Sequence, residues 1–451
     1  MGHFVPHTEA EIEAMLGFLG LESLDQLFDH IPAAVRLASG LGLAPGCSEA
    51  DVLDHVGELA ARNRPCGTAM GHDRLVCFAG GGAYEHEVPS AVSALARQSE
   101  LLTSYTPYQP ELSQGVLQAL FEYQTMVCRL TGTDVANASL YDGASAAAEG
   151  LSLASAATGR RLVWVSRGVR PAARAVIATV CGPRLEIREA PLVDGVTAWP
   201  DDLGEPAALL VDYPNYLGAL EDVAAAAERA HATGALLVAQ ADPVAAGLLH
   251  PVGALGADIA VGEGQPFGTP LAFGGPYVGL FAARDAPFVR RWLPGRLVGE
   301  GMDASGRRAY VLTLATREQH IRRAGASSNI CTNQTVVAIT MALHLAWLGP
   351  AGLRELALRC ARGARYTREA LLAIRGVEMA TPAPTLYEFA ARTPRPAAIV
   401  LERLAEAGFL GGLELEPDYP ELGHALLVTV TETRTRADID GFAIAFEKAV
   451  A

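Results

Sequence analysis

The sequence predicts an α/β protein with a mostly parallel central sheet, preceded by a helical segment and followed by a small α+β domain. Three observations predict it. Apolar runs at 162–165, 207–211, 235–239, 259–261 and 278–281 are close to uninterrupted, as strands buried on both faces require. Helical stretches such as 222–231 lie between them, the alternation of a sheet covered on both sides. After about residue 330 the pattern changes to helices at 334–348 and 353–374, then strand, helix, strand and helix, with 426–430 the clearest late strand.

Residues 1–62 are expected to form the helical segment. Thr8 with Glu11 makes a capping box ahead of Ile12, Met15, Leu16 and Leu19, which share one helical face. Ser23 with Gln26 repeats the device ahead of Leu24, Leu27 and Phe28, with Pro32 as the stop, and Val52, Leu53, Val56 and Leu59 mark a third helix. These stripes read as packing surfaces. Residues 63–110 are aperiodic and rich in Gly, Pro and Tyr, an irregular arm of the kind that forms functional or interface loops. A helix carrying Val116, Leu117, Leu120, Phe121, Gln124 and Val127 opens the large α/β domain at 111–330, and 331–451 make the small domain.

The chain has 451 residues and a formal net charge of -15. That length exceeds one compact core, and the charge opposes phosphate backbones and anionic bilayers, so neither nucleic acid nor a membrane is an expected partner. No apolar run is expected to span a bilayer, and no basic stretch precedes an apolar one at the start, so a soluble, cytoplasmic chain is expected. Cysteines 47, 66, 77, 128, 181, 331 and 360 contain no C-x-x-C pair and are expected as reduced thiols. No H-x-x-x-H pair is expected on a helix, and no histidine stands at metal-ligand spacing from a cysteine, so no structural metal is expected.

Of the 35 Lys and Arg residues, only Lys448 is a lysine. Arginine replaces lysine readily on a surface. It does not replace it as an amine nucleophile, because a guanidinium stays protonated.

Three places suggest chemistry. Asp142-Gly143-Ala144-Ser145 leads into a helix, whose first amides suit a phosphate, although a tight turn needing glycine reads equally well. Asp242 follows the strand 235–239 at the edge where parallel sheets bind ligands. A carboxylate there suits a protonated pyridine nitrogen, or else a helix N-cap ahead of Pro243. Residues 262–277, G-E-G-Q-P-F-G-T-P-L-A-F-G-G-P-Y, follow the next strand.

This last segment resembles the cofactor-lysine region of the subunit that carries pyridoxal phosphate (PLP) in the glycine cleavage system P-protein, N-L-H-K-T-F-x-x-P-H-G-G-G-G-P-G. The two align without gaps, with Gln265 at the lysine, Phe267 at its phenylalanine and Pro270 at its proline. D-Y-P-N-Y-L-G at 212–218 likewise resembles T-N-P-N-T-L-G, and Asp242 falls at the pyridine-pairing aspartate. The resemblance to the other, alpha subunit of the two-subunit P-protein is closer. It rests on Y-T-P-Y-Q-P-E at 105–111, Q-A-L-F-E-Y-Q-T-M at 118–126, D-V-A-N-A-S-L-Y-D-G at 134–143, T-R-E-Q-H-I-R-R at 316–323 and S-N-I-C-T-N-Q at 328–334. One departure is Ala324-Gly325-Ala326, where the family usually reads E-K-A.

The resemblance implies a large domain of the fold-type I PLP-transferase kind and a subunit that does not itself carry PLP. PLP on the partner subunit 2 (beta) would serve glycine decarboxylation, and the aminomethyl group would pass to the lipoyl arm of H-protein, an oxidoreductase reaction. This chain alone would be inactive. Its loops would wall the partner's active site, with Tyr84, His86, Tyr105, Tyr108, Gln109 and Glu111 as candidates. Asp142, Gly143, Ser145, Asp242 and Gln265 would line a vestigial cofactor pocket. Two other readings remain: a stand-alone enzyme holding PLP without a covalent link, and a regulatory scaffold for a complete partner enzyme.

Overall fold

A computed structural model describes residues 6–37, 40–66, 74–102, 106–326 and 328–451, so Tyr105 lies outside the described residues. The chain divides into two units, Met1–Arg64 and Pro65–Ala451.

In the first unit, α1 (Glu9–Leu19) starts at the expected capping box, with both the Thr8 and the Glu11 halves formed. The second expected box does not form. Leu24–Phe28 is a short 3-10 turn without a side-chain bond from Ser23, because Gln26 Oε1 accepts from the Glu22 N–H at 2.6 Å instead. α2 (Glu49–Ala60) begins at a box made by Ser48 and Asp51. None of the residues in these elements is buried: of the stripes expected to pack, Ile12 and Leu16 are half-buried, while Leu19 is 57% and Leu53 65% exposed.

In the second unit, α3 (Gln114–Thr131) precedes a seven-stranded sheet of β1 (Val135–Ala136), β2 (Leu162–Ser166), β3 (Glu186–Ala190), β4 (Pro206–Tyr213), β5 (Leu236–Ala241), β6 (Ile259–Glu263) and β7 (Gly279–Ala283). The spatial order is β1-β7-β6-β5-β4-β2-β3. β3, β2, β4, β5 and β6 run parallel, while β7 is antiparallel to β6 and β1.

The apolar runs divide by alternation. Val163, Val165, Leu210, Val238 and Val261 face α4 (Gly143–Thr158) and α5 (Pro171–Cys181), while Trp164, Leu209, Val211, Leu237 and Ala260 face α6 (Val223–Ala232). Both faces are covered, as the runs require.

The small sheet, β8 (Glu378–Met379), β9 (Glu388–Arg392), β10 (Leu413–Glu414) and β11 (Ala425–Thr429), is antiparallel in the order β8-β9-β11-β10. It packs with α8 (Ala397–Glu406) and α9 (Arg436–Val450). The two helices expected after residue 330 follow one another in α7 (Thr335–Leu372), parted by a kink at Gly349 ahead of Pro350.

The element Thr335–Leu372 taken whole corrects the expectation that no segment is long and apolar enough to span a bilayer: by length and composition it is. Its apolar character serves the core: Ala338, Ile339, Met341 and Ala342 are buried, and α7 packs on α3 and α9.

Gly349 sits at φ 59° and ψ -179°, a region open almost only to glycine, and a Cβ there would meet nothing within 4 Å. Its replacement therefore costs conformation and not space. Gly349→Ala is expected to lower the stability to urea by about 1–3 kcal/mol. An unchanged midpoint would show that the kink does not need glycine.

Candidate functional site

The carboxyl edge of the parallel strands gathers carboxylates around a half-buried arginine. Asp212 in β4 is the register partner of Gln240 in β5. Glu263 closes β6, and Glu388 opens β9 opposite Thr429. Arg170, just before α5, donates from Nη1 to the Gly82 carbonyl at 2.9 Å. Burial opposes its charge, yet Asp212, Tyr84, Glu263 and Glu388 hold it above its ordinary value. Burial pushes both Asp212 and Glu263 up to about 7, against the pull of Arg170 and of backbone N–H donors.

The start of α4, where free amides would hold a phosphate, is already occupied. Glu263 Oε2 accepts from the Gly143 N–H at 2.9 Å, and Oε1 accepts from the N–H groups of Gln265 and Val278, each at 3.1 Å. Asp142 Oδ1 accepts from the Ser145 N–H at 2.7 Å and caps the helix. Gly143 permits the close approach, since a Cβ there would stand 3.0 Å from Glu263 Cβ. The chain's own carboxylates stand where a phosphate would.

Gln265 is fully buried and its amide is committed on both sides. Oε1 accepts from the Tyr84 N–H at 2.9 Å, while Nε2 donates to the Tyr84 carbonyl at 2.9 Å and the Thr269 carbonyl at 2.8 Å. Asp242 is committed as well. Its Oδ1 accepts from the N–H groups of Val244 and Ala245 at 2.7 and 3.2 Å, and its Oδ2 accepts from the Tyr387 hydroxyl. Burial raises Asp242 above the usual carboxylate range, against those N–H bonds. Both oxygens are engaged within the chain, and Oδ1 closes a turn ahead of the short 3-10 helix Ala245–Gly247, whose N-cap is Val244.

Tyr84 turns inward, its hydroxyl donating to Glu388 Oε2 at 2.7 Å and its ring edge-on to Tyr387 at 5.4 Å. Glu388 Oε1 accepts from the Gly81 N–H at 2.8 Å and the Thr429 hydroxyl at 2.7 Å. Together these groups leave a cavity of about 50 Å³, against roughly 300–1,000 Å³ for an ordinary cofactor site. A second cleft of about 390 Å³ lies beside Tyr141, Ala144, Tyr277 and Gln334. Asp142 and Glu263 line it together with Arg170, whose charge is already held by carboxylates of this chain. The residues present do not fit PLP.

The loop Thr106–Leu112 faces outward. Tyr108 is 58% exposed, while Gln109 and Glu111 are exposed too. Its position is set from within: the Arg296 guanidinium lies 4.9 Å over the Tyr108 ring and donates to its hydroxyl, and Arg296 is itself paired with buried Glu318.

The matches to known proteins agree with this architecture. The family model described as glycine cleavage system P-protein covers residues 2–446. The chain belongs to the glycine cleavage system P-protein family. A relative from Moorella thermoacetica, named probable glycine dehydrogenase (decarboxylating) subunit 1, is 47% identical over 447 residues, covering 98% of each chain. An inhibitor-bound crystal structure of glycine decarboxylase, the P-protein of the glycine cleavage system, matches with a TM-score of 0.88 at 46% identity, over 99% of this chain and 100% of that one. The glutamate decarboxylase of Lactobacillus brevis has TM-score 0.66 at 14% identity, over 93% of this chain and 96% of that one, a likeness of fold alone. The fold is that of fold-type I PLP-dependent enzymes.

Within that family fold, Tyr84 and His86 bond into their own chain: Tyr84 to Gln265 and Glu388, and His86 Nδ1 at 2.7 Å from Glu432. Asp142, Gly143, Ser145, Asp242 and Gln265, the expected pocket residues, also bond within the chain. Sequence reading missed Arg170, Tyr387 and Glu388, for which no local signal exists. It also missed Glu263, which did carry one: an acid stands at the end of an apolar strand where the partner's pattern has leucine.

Gln265→Lys gives no acceptor to the Tyr84 N–H and leaves Glu263 in place. The variant is expected to lose about 1–3 kcal/mol and to form no borohydride-trapped pyridoxyl adduct. A trapped adduct at position 265 would contradict the filled pocket.

Because the folded values of Asp212 and Glu263 lie above the ordinary carboxylate range, the native state holds more protons than the unfolded chain from about pH 4 to 7. Stability therefore falls as pH rises through that window and levels off above it. Urea titrations at about pH 5 and about pH 7.5 are expected to show a smaller fall in Asp212→Asn than in wild type. Equal falls would contradict the assignment.

Proposed function

We propose that this chain is the non-PLP-bearing subunit of a two-subunit glycine dehydrogenase (decarboxylating). The single observation that carries the reading is the filled pocket: Gln265 replaces the anchor, and Glu263 takes the helix-start amide that would hold the phosphate. The relatives' name, subunit 1, implies a second subunit. That partner would hold PLP, which supplies the electron sink for decarboxylation of glycine. The aminomethyl group then passes to the lipoyl disulfide of H-protein, which is reduced.

This chain's own part is to shape the partner's site. The exposed Tyr108, Gln109 and Glu111 are the groups offered to it, and Arg296 fixes the height of Tyr108 by stacking and hydrogen bonding. Tyr105 belongs to the same motif and shares the proposal. Seven free cysteines are consistent with a cytoplasmic setting.

The test is exchange of carboxyl carbon between glycine and bicarbonate. Neither subunit alone is expected to exchange, and the mixture is expected to do so. Glu111→Gln and Tyr108→Phe are expected to lower the rate about 10- to 100-fold without dissociating the subunits. A partner that exchanges at full rate by itself would overturn the reading. Unchanged rates in both variants would remove these loop residues from it.

A further inference from the structure

We propose that His86, Cys360 and Glu432 bind one divalent transition-metal ion of the zinc class, as a structural site separate from the filled cofactor pocket. The three residues come from distant segments: the loop after residue 80, the second half of α7, and the turn after β11. One ring nitrogen of His86, the Cys360 Sγ and a Glu432 carboxylate oxygen all lie within 4.8 Å of one another. Glu432 Oε2 is the hub, 2.7 Å from His86 Nδ1 and 3.5 Å from Cys360 Sγ.

Burial makes the cluster unlike a surface group of acids. The side chains of His86 and Glu432 are 1% and 8% exposed, and Cys360 is fully buried. His86 Nε2, on the other edge of the ring, is buried without a hydrogen-bond partner among the described residues, so it can carry the imidazole proton when Nδ1 takes the ion.

Donor type selects the ion. A thiolate, an imidazole nitrogen and a carboxylate oxygen are a set for Zn²⁺ or Co²⁺, whereas Mg²⁺ and Ca²⁺ require oxygen alone. Charge agrees: one thiolate and one carboxylate neutralise a dication, which a buried site requires. Binding through Nδ1 breaks the His86–Glu432 hydrogen bond and the Cys360 S–H bond, forms the bonds from metal to sulfur, nitrogen and oxygen, leaves the imidazole proton on Nε2 and releases the thiol proton to solvent. No oxidation state changes. Water completes the tetrahedron.

The ion would tie α7 to the loop that carries Tyr84 and to the end of the small sheet. The test uses the full-length chain, stripped with a chelator and titrated with CoCl2. One Co²⁺ per chain is expected, with tetrahedral d–d bands and a thiolate-to-cobalt charge-transfer band. Cys360→Ser is expected to lose that band, and Glu432→Gln to weaken binding about 100-fold. Circular dichroism checks that both variants fold. Should Cys360→Ser fail to fold, the wild-type band and Glu432→Gln decide. A wild-type chain without the thiolate band, or variants that bind as wild type does, would mean surface binding only and would overturn the proposal.

Discussion

The bond on which the site depends joins the Glu263 carboxylate to the first amide of the helix Gly143–Thr158. A helix start presents unsatisfied N–H groups and a partial positive charge, and in a PLP-type fold that is where a phosphate rests. Here a strand-end glutamate reaches the same amide and takes further N–H bonds from Gln265 and Val278. A dianion arriving there would have to displace a buried carboxylate that already has three donors. It would also enter beside Asp142 and Asp212, with Arg170 already surrounded by carboxylates.

The other changes around the pocket follow the same logic. Gln265 uses its whole amide to clasp the backbone of Tyr84, and the Tyr84 hydroxyl in turn holds Glu388 of the small sheet. Tyr387 closes on the free oxygen of Asp242. Loop, large domain and small sheet are thereby bonded through the space a cofactor would occupy. The loop that carries Tyr108 is held from beneath by Arg296.

Much of this architecture is legible in the sequence. Near-continuous apolar runs mark the parallel strands, since burial on both faces forbids polar alternation, and the capping box at Thr8 and Glu11 forms as read. The candidate site was legible at Asp142, Gly143, Ser145, Asp242 and Gln265, whose places follow from local strand, turn and helix-start order. Arg170, Glu388 and Tyr387 meet across long stretches of chain, and no periodicity encodes such a meeting. For the same reason spacing rules pass over His86, Cys360 and Glu432, which three separate elements bring together. Tyr84 and His86 lie on an aperiodic loop, which reads as exposed, and their bonds to Glu388 and Glu432 draw it inward.

The central claim, that this chain cannot hold the cofactor, is tested most directly by counting PLP in the assembled two-subunit particle. The account predicts one PLP for each pair of unlike chains, recovered after borohydride reduction on a peptide of the partner. Two per pair, with one on a peptide of this chain, would contradict it.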